Sequence, residues 1–284
     1  MIDDPVRAYY DGFGEREWSR LENPNDGAVE YAVTCRMLDK YIPVNARVLD
    51  IGGGPGRYAI QLAKRGNRVV LADLSPKLLK IARKKINETG VAALVEEIIE
   101  ANACDLSHWA DNSFDAVLSL GPFYHLITAD ERECAVNELK RVLRAGGIAF
   151  VAFMPRLVFL MRTLVIPDER HLLKDKEFVK RMLEEGVFMN EIPGRFTNGY
   201  GVRPEEVIPF FEKHGFETLA LLATDSITRD TQNALFELAS SDPVTYQAAF
   251  DVILHTASEP SILGLAAHLL YIGKKGIINS IISR

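Results

Sequence analysis

The chain has 284 residues, 48% of them hydrophobic, and a formal net charge of -6. That is enough apolar material for one core domain of roughly 150–200 residues with a smaller covering region, and the acidic balance gives no electrostatic reason to expect a nucleic-acid partner. No apolar run approaches the roughly 20 residues of a membrane helix, the acidic start Met1-Ile2-Asp3-Asp4 lacks the pattern of a signal peptide, and Cys35, Cys104 and Cys134 stand too far apart for a Cys-x-x-Cys or metal-ligand set, so the expectation is a cytoplasmic protein with reduced thiols, no metal and no membrane partner.

Residues 1–45 are expected to be helical, with Tyr9, Tyr10, Phe13 and Trp18 as an aromatic cluster. Strand and helix signals then alternate. Strands are expected at 47–51, 68–72, 97–101, 114–119 and 148–153. The helices between them run over 58–64, from Ser75-Pro76 onward, and over 131–143, where Ala145-Gly146-Gly147 ends the last. Ser at an N-cap and Pro in the first turn are the usual way to start a helix. This alternation implies right-handed crossovers and a parallel sheet. Beyond Pro155 the rhythm changes. Residues 156–195 carry helical stretches with a Pro, Asn and Gly-rich tail at 190–201, a helix opens at Arg203-Pro204, and strands follow at 217–223 and 267–272 around a helical insert at about 229–258. The expected divisions are a helical cover (1–45), a core (46–155), a helical lid insertion (156–200) and a C-terminal part of the core sheet (201–284).

Between the first strand and the first helix of the alternating region lies Asp50-Ile-Gly52-Gly53-Gly54-Pro55-Gly56-Arg57. Glycines there permit positive φ and close approach of a ligand to the backbone, at the carboxyl end of a strand where open α/β sheets bind ligands. The dinucleotide fingerprint Gly-x-Gly-x-x-Gly fails when counted from Gly52, and fits from Gly54 only one residue late. Acidic-x-Gly-x-Gly-x-Gly fits without adjustment, through Asp50, Gly52, Gly54 and Gly56.

That pattern resembles motif I of the class I S-adenosyl-L-methionine (SAM)-dependent methyltransferases, and four further segments follow it in the family's order. They are Asp73-Leu74-Ser75 after the second strand, Asn102-Ala103-Cys104-Asp105 after the third, Ser119-Leu120-Gly121 after the fourth, and residues 141–147 before the fifth. The stretch 114–126 is similar to the small-molecule branch that includes quinone-biosynthesis methyltransferases. The resemblance implies an α/β, Rossmann-like fold: a mostly parallel seven-stranded sheet, its last strand antiparallel, with helical lid insertions. It also implies SAM as cofactor. Asp50 and the loop glycines, Gly53 included, would face the methionine part. Asp73 would accept from the ribose hydroxyls, or else cap the Ser75-Pro76 turn. Asn102 and Ala103 would face the adenine, with Asp105 as a rival for the same role. Ser119 and Leu120 would pass beside the sulfonium.

No motif of the amino-group, cytosine, catechol or arginine methylases is present, which leaves a small-molecule acceptor attacked at O, N, C or S. Tyr124 and His125, just past the fourth strand, are the candidate catalytic pair, or else shape the pocket. Tyr9, Tyr10 and Trp18 are expected either to cover SAM or to pack as core. The lid and the helical cover are expected to close over the strand ends, with Phe159, Met161, Phe178, Met182, Phe188, Met189 and Phe196 forming an apolar acceptor site. The alternatives are a catalytically idle SAM-binding module and a nicotinamide-dependent oxidoreductase.

Overall fold

The computed structural model describes residues 5–23, 26–190, 192, 195–228 and 231–276. The acidic start at 1–4, parts of the 190–201 tail, residues 229–230 of the helical insert and 277–284 of the C-terminal part lie outside the described residues. Three helices open the chain: α1 (Pro5–Phe13), α2 (Glu15–Arg20) and α3 (Ala28–Tyr41). The alternating region follows as β1 (Arg47–Ile51), α4 (Arg57–Lys64), β2 (Arg68–Asp73), α5 (Pro76–Glu88), β3 (Val95–Glu100), β4 (Phe114–Ser119), α6 (Ala129–Val142) and β5 (Leu143–Pro155). Next come α7 (Arg156–Val165), α8 (Lys176–Glu184), β6 (Val187–Phe188), β7 (Gly199–Val202), α9 (Pro204–Lys213), β8 (Phe216–Ala223), α10 (Gln232–Ser241), α11 (Pro243–Thr256), α12 (Pro260–Leu263) and β9 (Leu269–Lys275).

The main sheet runs β3-β2-β1-β4-β5-β9-β8. The first five strands are parallel, and β9 is antiparallel to both β5 and β8. Successive residues of each strand point to opposite faces, so each strand feeds two cores. On one face Leu49, Ile51, Val117 and Val151 pack with Leu139 of α6 and Phe211 of α9. On the other Val48, Leu71, Leu118 and Ile272 pack with Val33, Leu62 and Ile86 of α3, α4 and α5. Ser75 caps α5, its hydroxyl accepting from Leu78 N at 3.1 Å. Thr128 and Glu131 form a reciprocal cap on α6, which starts that helix two residues before the expected position.

The structure corrects several boundaries. The fifth strand begins at Leu143, because the segment holding Ala145-Gly146-Gly147 is a bulge: Phe114 pairs with Leu143, yet Ala116 pairs with Ile148. The last strand starts at Leu269 rather than Ala267, since the Asp225 carboxylate accepts from the Ala267 N–H at 3.0 and 3.1 Å, and it runs on to Lys275, paired with Phe216. Two short strands stand outside the seven expected: β6 and β7 form a hairpin, and β7 extends the sheet in parallel beside the end of β5. Among the described residues no helix is long and apolar enough to cross a membrane.

Candidate active site

A cavity of about 500 Å³ opens at the carboxyl ends of β1, β2 and β4, within the usual size range of small-molecule sites. Its floor is the loop between β1 and α4. A Cβ on Gly52 would lie 2.6 Å from Pro122 Cδ, and one on Gly53 would lie 2.6 Å from the Asp50 carboxylate, so this loop closes tightly only without side chains. Gly56 is not on the wall; it takes the left-handed N-cap position of α4 and packs toward Leu71 and Ala82.

Asp50 is buried beneath the loop, and neither carboxylate oxygen has a hydrogen-bond partner of good geometry among the described residues. Burial, together with the charge of Asp73, pushes it up to about 7. Burial likewise raises Asp73 to about 6, against the pull of the Ser75 and Gly54 N–H groups. These donate to Asp73 Oδ1 and Oδ2, each at 2.8 Å. Asp73 therefore ties the glycine loop to the start of α5, the capping role, and still has acceptor capacity toward the cavity, since a carboxylate has roughly four acceptor sites.

Leu74, Asn102, Ala103 and Leu120 stand on the wall. The Asn102 side chain accepts from Cys104 N at 2.9 Å, which shapes the loop after β3. Besides Gly56, two more candidates are off the wall. Asp105 is exposed, its carboxylate accepting from Ser107 N at 3.1 Å. Ser119 is buried behind the wall, its hydroxyl without a partner among the described residues.

Tyr124 and His125 both line the cavity, and Tyr10 joins them. His125 Nδ1 lies 2.9 Å from the Asn198 carbonyl oxygen, and Nε2 lies 2.9 Å from the Tyr10 hydroxyl. A carbonyl only accepts, so Nδ1 carries the proton and Nε2 of the neutral ring accepts from Tyr10. Burial and the neighbouring Tyr124 hold the Tyr10 hydroxyl well above the usual tyrosine range. The helical cover is held down by further contacts: the Ser75 hydroxyl donates to Asp11 at 2.6 Å, and Arg7 pairs with Glu100 at 2.8 Å.

Glu17, Arg20 and Glu30 form a charged wall that the sequence did not single out. Arg20 grips Glu30 at 2.8 Å and Glu17 at 3.3 Å, and all three side chains are less than a fifth exposed. Burial raises Glu17. Burial also works to raise Glu30, but Arg20 and His268 outweigh it and hold that carboxyl well below the usual range. Glu17 and Arg20 look in sequence like an ordinary surface pair at i,i+3, and nothing local places Glu30 beside them.

The expected apolar acceptor wall is not formed by the lid insertion. Phe159, Phe178, Met182 and Phe188 are buried in a small core of their own, with Phe196 packed against it, and Met189 is exposed. Asn198 is the described residue of 156–200 that reaches the cavity wall. Among the described residues no group of side chains could hold a metal ion.

The donor set fits SAM. A buried carboxylate approached by the Ala59 N–H but with no hydrogen bond of good geometry suits an ammonium, a strand-end carboxylate suits paired hydroxyls, and a side-chain-free loop lets the ligand meet backbone.

A methyltransferase domain model matches residues 49–151. The chain is 29% identical over 163 residues to a tRNA 5-carboxymethoxyuridine methyltransferase of Escherichia coli K12, covering 55% of this chain and 60% of that one. It is 30% identical over 195 residues to a ubiquinone/menaquinone biosynthesis C-methyltransferase of Pseudomonas fluorescens, covering 56% of this chain and 73% of that one. The crystal structure of a SAM-dependent methyltransferase from Methanosarcina mazei superposes with a TM-score of 0.58 at 17% identity, covering 85% of this chain and 97% of that one.

Proposed function

Because the chain belongs to the SAM-dependent methyltransferase family, we propose that it methylates a small-molecule acceptor held against Tyr10, Tyr124 and His125. The observation that carries this is the polarity of one cavity: buried carboxylate and glycine loop at one end, a hydrogen-bonded Tyr10–His125 pair at the other.

When bound, SAM supplies a methyl group already activated on a sulfonium. The chain's own work is to hold, align and exclude water. Asp50 would hold the ammonium, Arg20 the carboxylate, Asp73 the ribose hydroxyls, and the Asn102-Ala103 loop the base. For an acceptor that must lose a proton, the Tyr10 oxygen takes it while the Tyr10 proton passes to His125 Nε2. Asn198 keeps the ring in the tautomer that can receive it. For an acceptor that loses no proton, the same residues only shape the pocket.

The acidic net charge gives no attraction to a phosphate backbone, and Pro5, Val6 and Tyr10 of α1 wall the cavity, which favours a small acceptor. The likeness to a tRNA-modifying enzyme favours a second reading, a nucleoside within RNA. S-adenosylhomocysteine should raise the melting temperature and NAD should not, with about 2.7 kcal/mol of stabilisation at a hundredfold excess over Kd. Radiolabelled SAM, incubated with phenolic, quinol and amine acceptors and separately with bulk tRNA, should label a small molecule. Label in tRNA alone would overturn the small-molecule reading. Stabilisation by NAD and none by S-adenosylhomocysteine would overturn the cofactor.

A further inference from the structure

Cys104 and Cys134 are 30 residues apart in sequence but meet where the loop after β3 packs on α6. The Cys134 thiol donates to the Cys104 carbonyl oxygen at 3.0 Å, and the Cys104 thiol donates to the Glu131 carbonyl oxygen at 3.4 Å. Cys134 is exposed and Cys104 is partly buried on the cavity wall. Cys35, the remaining thiol, packs on the opposite face of the sheet.

We propose that Cys104 and Cys134 are a modification site: a reversible disulfide that links thiol redox state to cofactor binding. A disulfide such as oxidised glutathione is the oxidant. The Cys134 sulfur attacks it, the glutathione S–S bond breaks, and one glutathione leaves. The Cys104 sulfur then attacks Cys134 Sγ and expels the second glutathione, which takes the Cys104 proton. Two protein thiols give up two electrons and two protons, and one oxidised glutathione becomes two reduced ones. The order follows from exposure: Cys134 is reachable, whereas burial pushes the Cys104 thiol up to about 12, so Cys104 resolves rather than initiates.

The coupling follows from position, and rests on the cavity being the SAM site. Cys104 and Glu131 both line that cavity, and the Cys104 N–H fixes the Asn102 side chain at 2.9 Å. A disulfide brings its Cβ atoms to about 3.8 Å. That takes Cys104 Sγ off the Glu131 carbonyl and draws the adenine-facing loop toward α6.

The full chain is equilibrated at graded ratios of reduced to oxidised glutathione, mapped by mass spectrometry without reduction, and titrated with S-adenosylhomocysteine by calorimetry. The expected result is a Cys104–Cys134 link that lowers ligand affinity at least fivefold, reversed by dithiothreitol. Cys134→Ser should bind like the reduced protein and ignore the oxidant. By linkage, saturating ligand should shift the glutathione midpoint toward the thiols by the same factor. Glutathione adducts alone, links through Cys35, or a Cys104–Cys134 bond with affinity unchanged would each overturn the proposal. Failure of the reduced protein to bind S-adenosylhomocysteine would instead overturn the cofactor assignment, and with it the coupling, while the mapping still reads the disulfide.

Discussion

The hydroxyl of Tyr10 lies 2.9 Å from Nε2 of His125, and their rings meet edge to face with centroids 5.4 Å apart and planes at 87°. The contact joins the first helix of the cover to the turn after β4, across 115 residues. In the proposed function, Tyr10 is the group that meets the acceptor and His125 the group behind it. Tyr10→Phe keeps the ring and removes the relay. Transfer to acceptors that lose a proton should fall about 10²–10⁴-fold. Transfer to a thioether or tertiary amine, and affinity for S-adenosylhomocysteine, should change little. Methyl incorporation across both acceptor types checks this, and equal losses for both would remove the proton role.

Asp73 holds two backbone N–H groups as well as facing the cavity. Asp73→Ala should therefore weaken SAM binding by about 1.5–3 kcal/mol, roughly ten- to a hundredfold, and lower the melting temperature of the ligand-free protein. Asp73→Asn keeps one oxygen acceptor and should recover part of the stability but less of the affinity. Calorimetry and thermal denaturation separate the two effects. Unchanged affinity in a folded Asp73→Ala protein would remove the ribose role.

Asp50 and Asp73 titrate at about 7 and about 6 in the folded protein, against an ordinary 3.8. Between about pH 4 and these values the folded state binds more protons than the unfolded one. Their burial thus costs increasing stability as pH rises through that window, and that cost is complete above about 7. An ammonium needs Asp50 ionised, so binding below pH 7 must expel a proton. S-adenosylhomocysteine affinity should fall on acidification by up to about tenfold per pH unit for each group. Calorimetry at pH 6 in buffers of different ionisation enthalpy should show net proton release; proton uptake would contradict the assignment.

The core was readable because its signals are local. Alternating apolar strands, Ser75-Pro76 at a helix start and the glycine-rich turn after β1 act over a few residues each; the first, second and fourth strands and that helix start stand where expected, and the third, expected at 97–101, runs over Val95–Glu100. The strand at 143–147 was missed because a bulge reads in sequence as a turn. The β6–β7 hairpin is short, and β7 is held by pairing with β5 rather than by its own pattern. At the site, Asp50 and Asp73 were legible from their place at strand ends. Glu17, Arg20, Glu30 and Asn198 were not, because only the fold brings the helical cover and residue 198 to the strand ends. Asp105 fitted the same loop as Asn102, and only the turn geometry shows that it faces Ser107.

Polar contacts hold α1 at Asp11 to Ser75, Arg7 to Glu100 and Tyr10 to His125, beside the ring of Tyr9 against Phe196. Ligand has to pass beneath it, so α1 should open more readily than β1 or β4. Hydrogen exchange should be faster in residues 5–13 and 196–199 than in the sheet, and should slow in both on adding S-adenosylhomocysteine. No change in either segment would mean that the cover does not gate the cavity.

The excursion from β5 departs after Pro155 and comes home at Gly201, and its two ends are stitched together. Met154 pairs with Gly201 and Pro155 with Val202, and the Arg156 guanidinium donates to the Gly201 carbonyl at 3.2 Å. The excursion also carries a small core of its own, which meets the rest of the molecule through Met154 and through Phe196 against Tyr9 and His125. A segment pinched at its base and filled from within can lengthen, shrink or be exchanged at little entropic cost to the scaffold. The surface that this segment presents can thus be rewritten, one insertion at a time, while the glycine loop and its two acids stay as they are.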